Sequence, residues 1–266
     1  MTFFPIHNFY IENGIIKPVP EFVTSESKGG VYEVIRVENG IPVFIEEHLS
    51  RFFQSIKIAK KTAHFSNFEI IAFVKKLIAE NRIQVGNILI SYEISLKIFF
   101  IKHKYPTREM VKEGVLCGIL NAERENPNAK VLQTQVREKA DKLISEKKLY
   151  EVILTNKLGN ITEGSRSNIF FIKENRIITP PGRNVLLGIT RKKVIELIKK
   201  SGYLFFEQEV NIDDLPAFDA VFLTGTSPKV LPVKQIETTK FNPQNKIIRQ
   251  LITEYDLLTT KYIQSN

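Results

Sequence analysis

Apolar residues in the first hundred positions follow two patterns, one typical of strands and the other of amphipathic helices. Short stretches rich in β-branched residues are bounded by turn residues such as Asn39 and Gly40, which indicates paired strands. Longer stretches carry apolar residues at spacings of three and four, which indicates helices with one buried face. The predicted elements are strands at 32–37, 42–45, 87–93 and 96–102 and helices at 46–60 and 68–80.

Both patterns lapse in a charged, proline-containing stretch and resume at Val115. The sequence therefore predicts a smaller N-terminal α/β domain over residues 1–106, a linker at 107–113 and a C-terminal domain over 114–266. In the second domain the same patterns predict strands at 150–154, 168–173, 176–179 and 218–223 and helices at 135–147 and 190–200.

Composition places the chain among ordinary globular proteins, with 266 residues, 43% hydrophobic and 25% charged. A single cysteine, Cys117, excludes an intrachain disulfide and an all-cysteine zinc site, and no metal site is predicted. No signal peptide is visible, and no apolar stretch approaches the roughly 18 residues of a membrane span. We therefore expect a cytoplasmic protein that does not act in a membrane.

The formal net charge of +9 could indicate a partner that is an anion or a nucleic acid. The lysines, however, are dispersed along the chain, and no aromatic RNA-binding signature accompanies them. Nucleic acid is therefore not favoured as a partner. A non-catalytic protein that binds anions or nucleic acid stays open as an alternative of another class.

Polar residues cluster at three places where predicted strands end. The segment 160–168 (Asn-Ile-Thr-Glu-Gly-Ser-Arg-Ser-Asn) precedes an apolar run, and Leu-Gly-Ile-Thr-Arg at 187–191 opens a helix. Helix N-termini attract anions through their N–H groups and dipole, so the second segment predicts an anion site. Hydroxyls and glycine at 224–227 (Thr-Gly-Thr-Ser) suggest a second part of a phosphate cradle.

These segments, together with Lys130, Tyr150-Glu-Val-Ile-Leu and the N-terminal motifs Gly30-Val-Tyr-Glu-Val and Glu47-His-Leu-Ser-Arg51, resemble the class IV aminotransferases. That family includes branched-chain and D-amino-acid aminotransferases and aminodeoxychorismate lyase. The resemblance covers nearly the whole chain in the right order. It implies a two-domain α+β enzyme of fold type IV, similar to D-amino-acid aminotransferase, with a pseudo-barrel C-terminal domain, and it implies a homodimer.

The resemblance also implies a cofactor, pyridoxal 5'-phosphate (PLP), and a role for each matching residue. Lys130 resembles the family's Schiff-base lysine, and Glu163 resembles the carboxylate that pairs with the pyridine nitrogen. Tyr32 would line the substrate side. The residues implied for the phosphate are Arg51, Ile189, Thr190, Thr226 and Ser227. The structural alternatives are a solvated lysine, a capping carboxylate and hydroxyls that cap a helix or a turn.

Two further family-pattern residues, His48 and Arg191, are interpreted as scaffold. The segment 91–97 is short and lacks the arginine that many members carry there, and Lys97, Lys102 or His103 is a guess for its replacement. Transamination of an amino acid, branched-chain or other, with a keto acid is favoured. Release of pyruvate from aminodeoxychorismate is the alternative.

Overall fold

The computed structural model describes residues 3–24, 30–124, 126–131 and 134–266. The chain divides into two compact units. The first comprises Met1–Lys104, Ala129–Gln133 and Thr259–Asn266, and the second comprises Tyr105–Asn128 and Thr134–Leu258. The segment predicted as a linker contains a short helix, Arg108–Glu113, and belongs to the second unit.

The first unit contains a six-stranded antiparallel sheet and two helices. In chain order its elements are β1 (Phe9–Glu12), β2 (Ile15–Pro18), β3 (Val31–Glu38), β4 (Ile41–Pro42), α1 (Ile45–Ile58), α2 (Asn67–Asn81), β5 (Val85–Tyr92) and β6 (Leu96–Ile101). The strands lie in the order β2-β1-β6-β5-β3-β4. The capping box of Ser66 and Glu69 satisfies the N-terminus of α2.

One face of this sheet packs against the apolar stripes of α1 and α2, as the helical spacing predicts. Alternate residues of β3, including Ile35 and Val37, lie in that core with Leu49 and Phe52 of α1. The other face carries an aromatic layer around Tyr10, Tyr32, Leu89, Phe99 and Ile101. Because side chains alternate along a strand, Tyr32 and its neighbour on β3 face opposite sides of the sheet.

The second unit contains a nine-stranded mixed sheet and most of the remaining helices. Its elements are α3 (Arg108–Glu113), β7 (Val115–Asn121), α4 (Thr134–Lys147), β8 (Glu151–Thr155), β9 (Ile161–Gly164), β10 (Asn168–Lys173), β11 (Arg176–Thr179), α5 (Ile189–Lys200), β12 (Leu204–Glu207), β13 (Ala220–Gly225), β14 (Lys229–Ile236), β15 (Thr239–Lys240) and α6 (Lys246–Gln264). The boundary between the two units falls within α6, after Leu258.

The strand order of this sheet is β12-β11-β10-β13-β14-β7-β8-β9, with β15 paired to β14. The pairs β11–β12, β14–β7 and β7–β8 are parallel, and the others are antiparallel. One face forms a core with Ile153, Ile169 and Leu223. On the opposite face the rings of Phe170 and Phe222 stack with centroids 4.8 Å apart. Helix α5 contacts β12 and β13.

Most predicted elements are present, and the hairpin of β10 and β11 has the predicted bounds. The predicted return strand at 42–45 is wrong, because β4 ends at Pro42 and α1 already begins at Ile45. Phe44 lies between them in the left-handed region at φ 56° and ends the extended backbone. Among the described residues, no helix is both long enough and apolar enough to cross a bilayer.

Candidate functional site

Lys130 lies beside the first residues of β3, in the first unit. Its amide donates to Ser55 Oγ at 3.1 Å, and its carbonyl accepts from the amide of Tyr32 at 3.0 Å. A bridge between Val31 and Val131 continues this pairing. The Lys130 Nζ lies 4.8 Å from the centroid of the Tyr32 ring, a cation–π distance. The structure thus brings together the predicted cofactor lysine and the predicted substrate-side tyrosine.

The third predicted residue of this unit, Arg51, forms a buried ion pair with Glu33. Its Nε donates to Oε1 and its Nη2 to Oε2, both at 2.7 Å, and His48 Nδ1 lies 2.9 Å from Oε2. His48 and Arg51 are three positions apart on α1, so both side chains reach the same face. Glu33 lies in β3 on the same face as the core residues Val31 and Ile35, so its carboxylate is directed toward α1.

Burial and charge act in opposite directions on Glu33. Burial alone would raise the pKa of its carboxyl, but the Arg51 charge and the hydrogen bonds from His48 and Arg51 lower that pKa to about 2. Burial lowers the pKa of His48 more than the carboxylate raises it. His48 is therefore neutral near pH 7, and its scaffold role stays a prediction.

In the second unit, Glu163 lies on β9 and is 3% exposed. Its Oε1 lies 3.1 Å from the Nε of Arg124, and its Oε2 accepts from the amide of Leu186 at 3.0 Å. Arg124 also donates through Nη2 to the carbonyl of Ser165 at 2.6 Å. A cation with no role predicted from the sequence, Arg124, therefore lies against the buried carboxylate.

The N-terminus of α5 has the features of an anion site. Gly188 is its N-cap, and this residue has no side chain that could cap the amides of the first turn. A Cβ at Gly188 would lie 2.2 Å from Oδ1 of Asn168, so any other residue there would have to displace the buried Asn168 side chain. Asn168 in turn donates to the carbonyl of Leu186 at 2.8 Å. The buried hydroxyl of Thr190 lies 3.4 Å from that of Tyr255.

The turn between β13 and β14 carries the other two predicted phosphate residues, Thr226 and Ser227, both partly buried. It follows directly on β13, the strand that α5 contacts. At the end of β13, Thr224 Oγ1 is buried with no hydrogen-bond partner among the described residues. The second unit thus contains Glu163 and all four of the predicted phosphate residues from Ile189 to Ser227.

Lys97, which was predicted as one replacement for the missing arginine, contacts Val23 and Glu12 in the structure. Its Nζ donates to the carbonyl of Val23 at 2.6 Å and lies 3.7 Å from Oε1 of Glu12. Arg191, predicted as scaffold, donates to the carbonyl of Pro180 and to Glu207. Both side chains therefore make polar contacts inside their own unit.

Three charged side chains had no role predicted from the sequence. Glu33 and Arg124 pair with the predicted residues Arg51 and Glu163, and Glu151 binds the segment that follows Glu163. Glu33 and Glu151 carried a signal, because each interrupts an apolar strand pattern and therefore needs buried partners. Arg124 carried none, since only the tertiary structure brings it to Glu163.

The sequence matches a profile of the family described as Amino-transferase class IV over residues 30–236. The D-alanine aminotransferase of Bacillus licheniformis is 30% identical over 229 residues, covering 78% of this chain and 79% of that protein. The D-alanine aminotransferase of Listeria monocytogenes is 28% identical over 255 residues, covering 85% of this chain and 86% of that protein.

The fold resembles the crystal structure of a branched-chain amino acid aminotransferase from T.th. with pyridoxamine 5'-phosphate. The TM-score is 0.87 with 23% identity, over 97% of this chain and 96% of that one. The predicted fold class is thereby confirmed. Because the profile covers most of the chain and the relatives agree with it, the chain belongs to the class IV aminotransferases.

Proposed function

We propose that this aminotransferase binds PLP covalently at Lys130 and transfers the amino group of a small amino acid to a keto acid, with D-alanine as the first donor to test. Enzymes of this class depend on PLP. The names of the Bacillus and Listeria relatives support D-alanine. The observation that carries the proposal is the buried Glu163, paired with Arg124, in the same unit as a helix N-terminus whose N-cap is glycine.

The residues present fit a phosphate group. The first turn of α5 offers backbone N–H groups without a competing side-chain cap, and the helix dipole favours negative charge there. At the start of this turn, Asn168 occupies the space that a side chain at position 188 would take. The amide of Ile189 and the hydroxyls of Thr190, Thr226 and Ser227 would bind the phosphate, and Arg51 would add a guanidinium.

The residues also fit a pyridine ring. When bound, PLP supplies a protonated ring that withdraws electrons from the substrate Cα. Glu163 would pair with that protonated nitrogen, because its carboxylate is held in place by Arg124 at one oxygen and by the Leu186 amide at the other. Lys130, once released from the cofactor, would take the proton from the substrate Cα and return it at the cofactor's reactive carbon.

The test is a titration of the purified protein with PLP, followed by visible absorbance. We expect a yellow band that borohydride abolishes, with the reduced adduct located on Lys130 by peptide mass mapping. Lys130→Ala should lose the band, whereas Lys139→Ala, at an exposed position of α4, should keep it. No band in the wild-type protein, or a normal band in Lys130→Ala, would refute the proposal.

The substrate is tested with a panel of amino donors and acceptors. D-alanine, L-valine and L-leucine are offered with α-ketoglutarate or pyruvate, and aminodeoxychorismate is offered alone. Turnover of D-alanine supports the proposed donor, and turnover of the L-amino acids replaces it with a branched-chain donor. Pyruvate release from aminodeoxychorismate alone would assign a lyase. We also propose a homodimer, which sedimentation equilibrium tests directly.

A further inference from the structure

Glu151 is a buried carboxylate at the start of the apolar strand β8, and it is 3% exposed. Its Oε1 accepts from Ser165 Oγ at 2.6 Å and from the amide of Val152 at 2.9 Å. Its Oε2 accepts from Ser167 Oγ at 2.9 Å and from the amide of Arg166 at 3.2 Å. These four donors are neutral, so the carboxylate depends on hydrogen bonds to compensate its burial.

Three of those donors come from one turn, Gly164–Ser167, which connects β9 to β10. The amide of Gly164 donates to the carbonyl of Ser167 at 2.7 Å and closes the turn. A Cβ at Gly164 would lie 2.1 Å from Ser167 Oγ and 3.1 Å from Cδ of Glu151. The turn is therefore wrapped closely around the carboxylate, and another backbone path would leave a buried charge unsatisfied.

This turn separates the two residues of the motif that lie at the candidate site. Glu163 immediately precedes it and Asn168 immediately follows it. The carbonyl of Ser165 accepts the 2.6 Å hydrogen bond from Arg124, whose Nε reaches Glu163. A displacement of the turn therefore moves both the carboxylate and the cation that is paired with it.

We propose that Glu151 is a positioning residue that holds the turn Gly164–Ser167 and thereby orients Glu163 and Arg124 for the pyridine nitrogen of PLP. Glu151 itself does not touch the cofactor. The inference rests on the proposed function, since it assigns to Glu163 the role given there. It adds a buried anion and two serine hydroxyls to the machinery that sets the cofactor's orientation.

The test is Glu151→Gln, which keeps the side-chain volume but replaces one accepting oxygen with an amide group. A hydrogen bond to a charged group contributes about 1.5–3 kcal/mol, so its loss corresponds to about a tenfold or larger change. We expect the dissociation constant of PLP, measured by absorbance titration, to rise about tenfold or more. Ser167→Ala, which removes one contact, should give a smaller rise in the same direction.

A matched control separates positioning from general loss of stability. Arg249 donates to the carbonyls of Val111, Lys112 and Pro243 in the same unit, and the turn is not among these partners. Arg249→Met should lower the melting temperature of the protein without PLP yet leave the PLP dissociation constant within about twofold, because its hydrogen bonds hold other segments. Hydrogen exchange of the PLP-free protein should increase at residues 163–168 in Glu151→Gln and not in Arg249→Met.

The outcomes are distinguishable. A normal PLP dissociation constant in both Glu151→Gln and Ser167→Ala would overturn the inference while leaving the proposed function intact. Equal weakening by Arg249→Met would also overturn it, since the effect would then follow stability alone. A wild-type protein without the visible band would overturn the proposed function and this inference together.

Discussion

Replacing Glu33 with glutamine tests the buried ion pair that Glu33 forms with the predicted site residue Arg51. The glutamine has nearly the same volume, but it cannot carry the charge that compensates Arg51. In the wild-type protein the pKa of Glu33 is lowered from 4.5 to about 2. One unit of pKa difference equals about 1.4 kcal/mol, so the ionised carboxylate contributes about 3 kcal/mol to the free energy of unfolding at pH 7.

The sign of the pH dependence follows from the lowered pKa. Above about pH 4.5, Glu33 is ionised in both the folded and the unfolded protein, and its full contribution is present. As the pH falls from 4.5 toward 2, the unfolded protein takes up a proton first, and the contribution is progressively lost. The difference between wild type and Glu33→Gln is therefore expected to be about 3 kcal/mol at pH 7 and to shrink below pH 4.5.

The assay is urea unfolding followed by circular dichroism at pH 7, 5 and 3 for wild type and variant. Glu12→Gln is the control, since Glu12 pairs with Lys17 nearer the surface, and such pairs contribute at most about 1 kcal/mol. If the free energy of unfolding of Glu33→Gln lies within about 0.5 kcal/mol of the wild-type value at pH 7, the predicted contribution of Glu33 is refuted. A larger difference that does not change with pH would refute the assigned pKa.

Three further predictions use the same purified protein. Because the pKa of His48 is lowered, the wild type should lose stability as the pH falls below 6.5, and His48→Gln should show a weaker pH dependence in urea unfolding. Gly188→Ala places a Cβ 2.2 Å from Oδ1 of Asn168, so it should lower the free energy of unfolding by about 1–3 kcal/mol and weaken PLP binding. Gly30→Ala is the control, because its Cβ contacts are 3.6 Å or longer, and it should change neither quantity. Lys97→Ala should leave KM for the amino donor within about twofold in steady-state assays, because its amine already binds Val23.

Periodicity predicted the elements whose apolar residues lie on one side. The stripe of α1 and the hairpin of β10 and β11 are examples, since each buries a regular set of side chains. The sequence analysis missed β14, in which Pro232 is unusual for a strand, and the long helix α6. The predicted strand at 42–45 runs past the end of β4, because the apolar residues before α1 resemble a strand although Phe44 turns the chain.

The residues of the candidate site could be predicted from sequence motifs, but the charged partners of those residues could not. Lys130, Arg51 and Glu163 stand in family motifs, so a single sequence is enough to propose them, and their roles stay predictions. Their partners depend on strand register: Glu33 reaches Arg51 only because β3 directs alternate residues toward α1. Likewise, Arg124 reaches Glu163 only through the folded segment after β7.

Two of the charged residues proposed to bind PLP are already paired with an opposite charge inside their own unit, Arg51 with Glu33 and Glu163 with Arg124. Arg51 therefore brings less net positive charge to a phosphate than an unpaired arginine would, and most of the attraction must come from the N-terminus of α5 and its hydroxyls. The pairing of Glu163 with Arg124 instead favours the proposed role of Glu163, because it holds the carboxylate that would face a protonated pyridine nitrogen in one orientation. Each of these two charges is thus paired within its own unit, which fixes the geometry of Arg51 and Glu163 at the cost of some electrostatic attraction to a ligand.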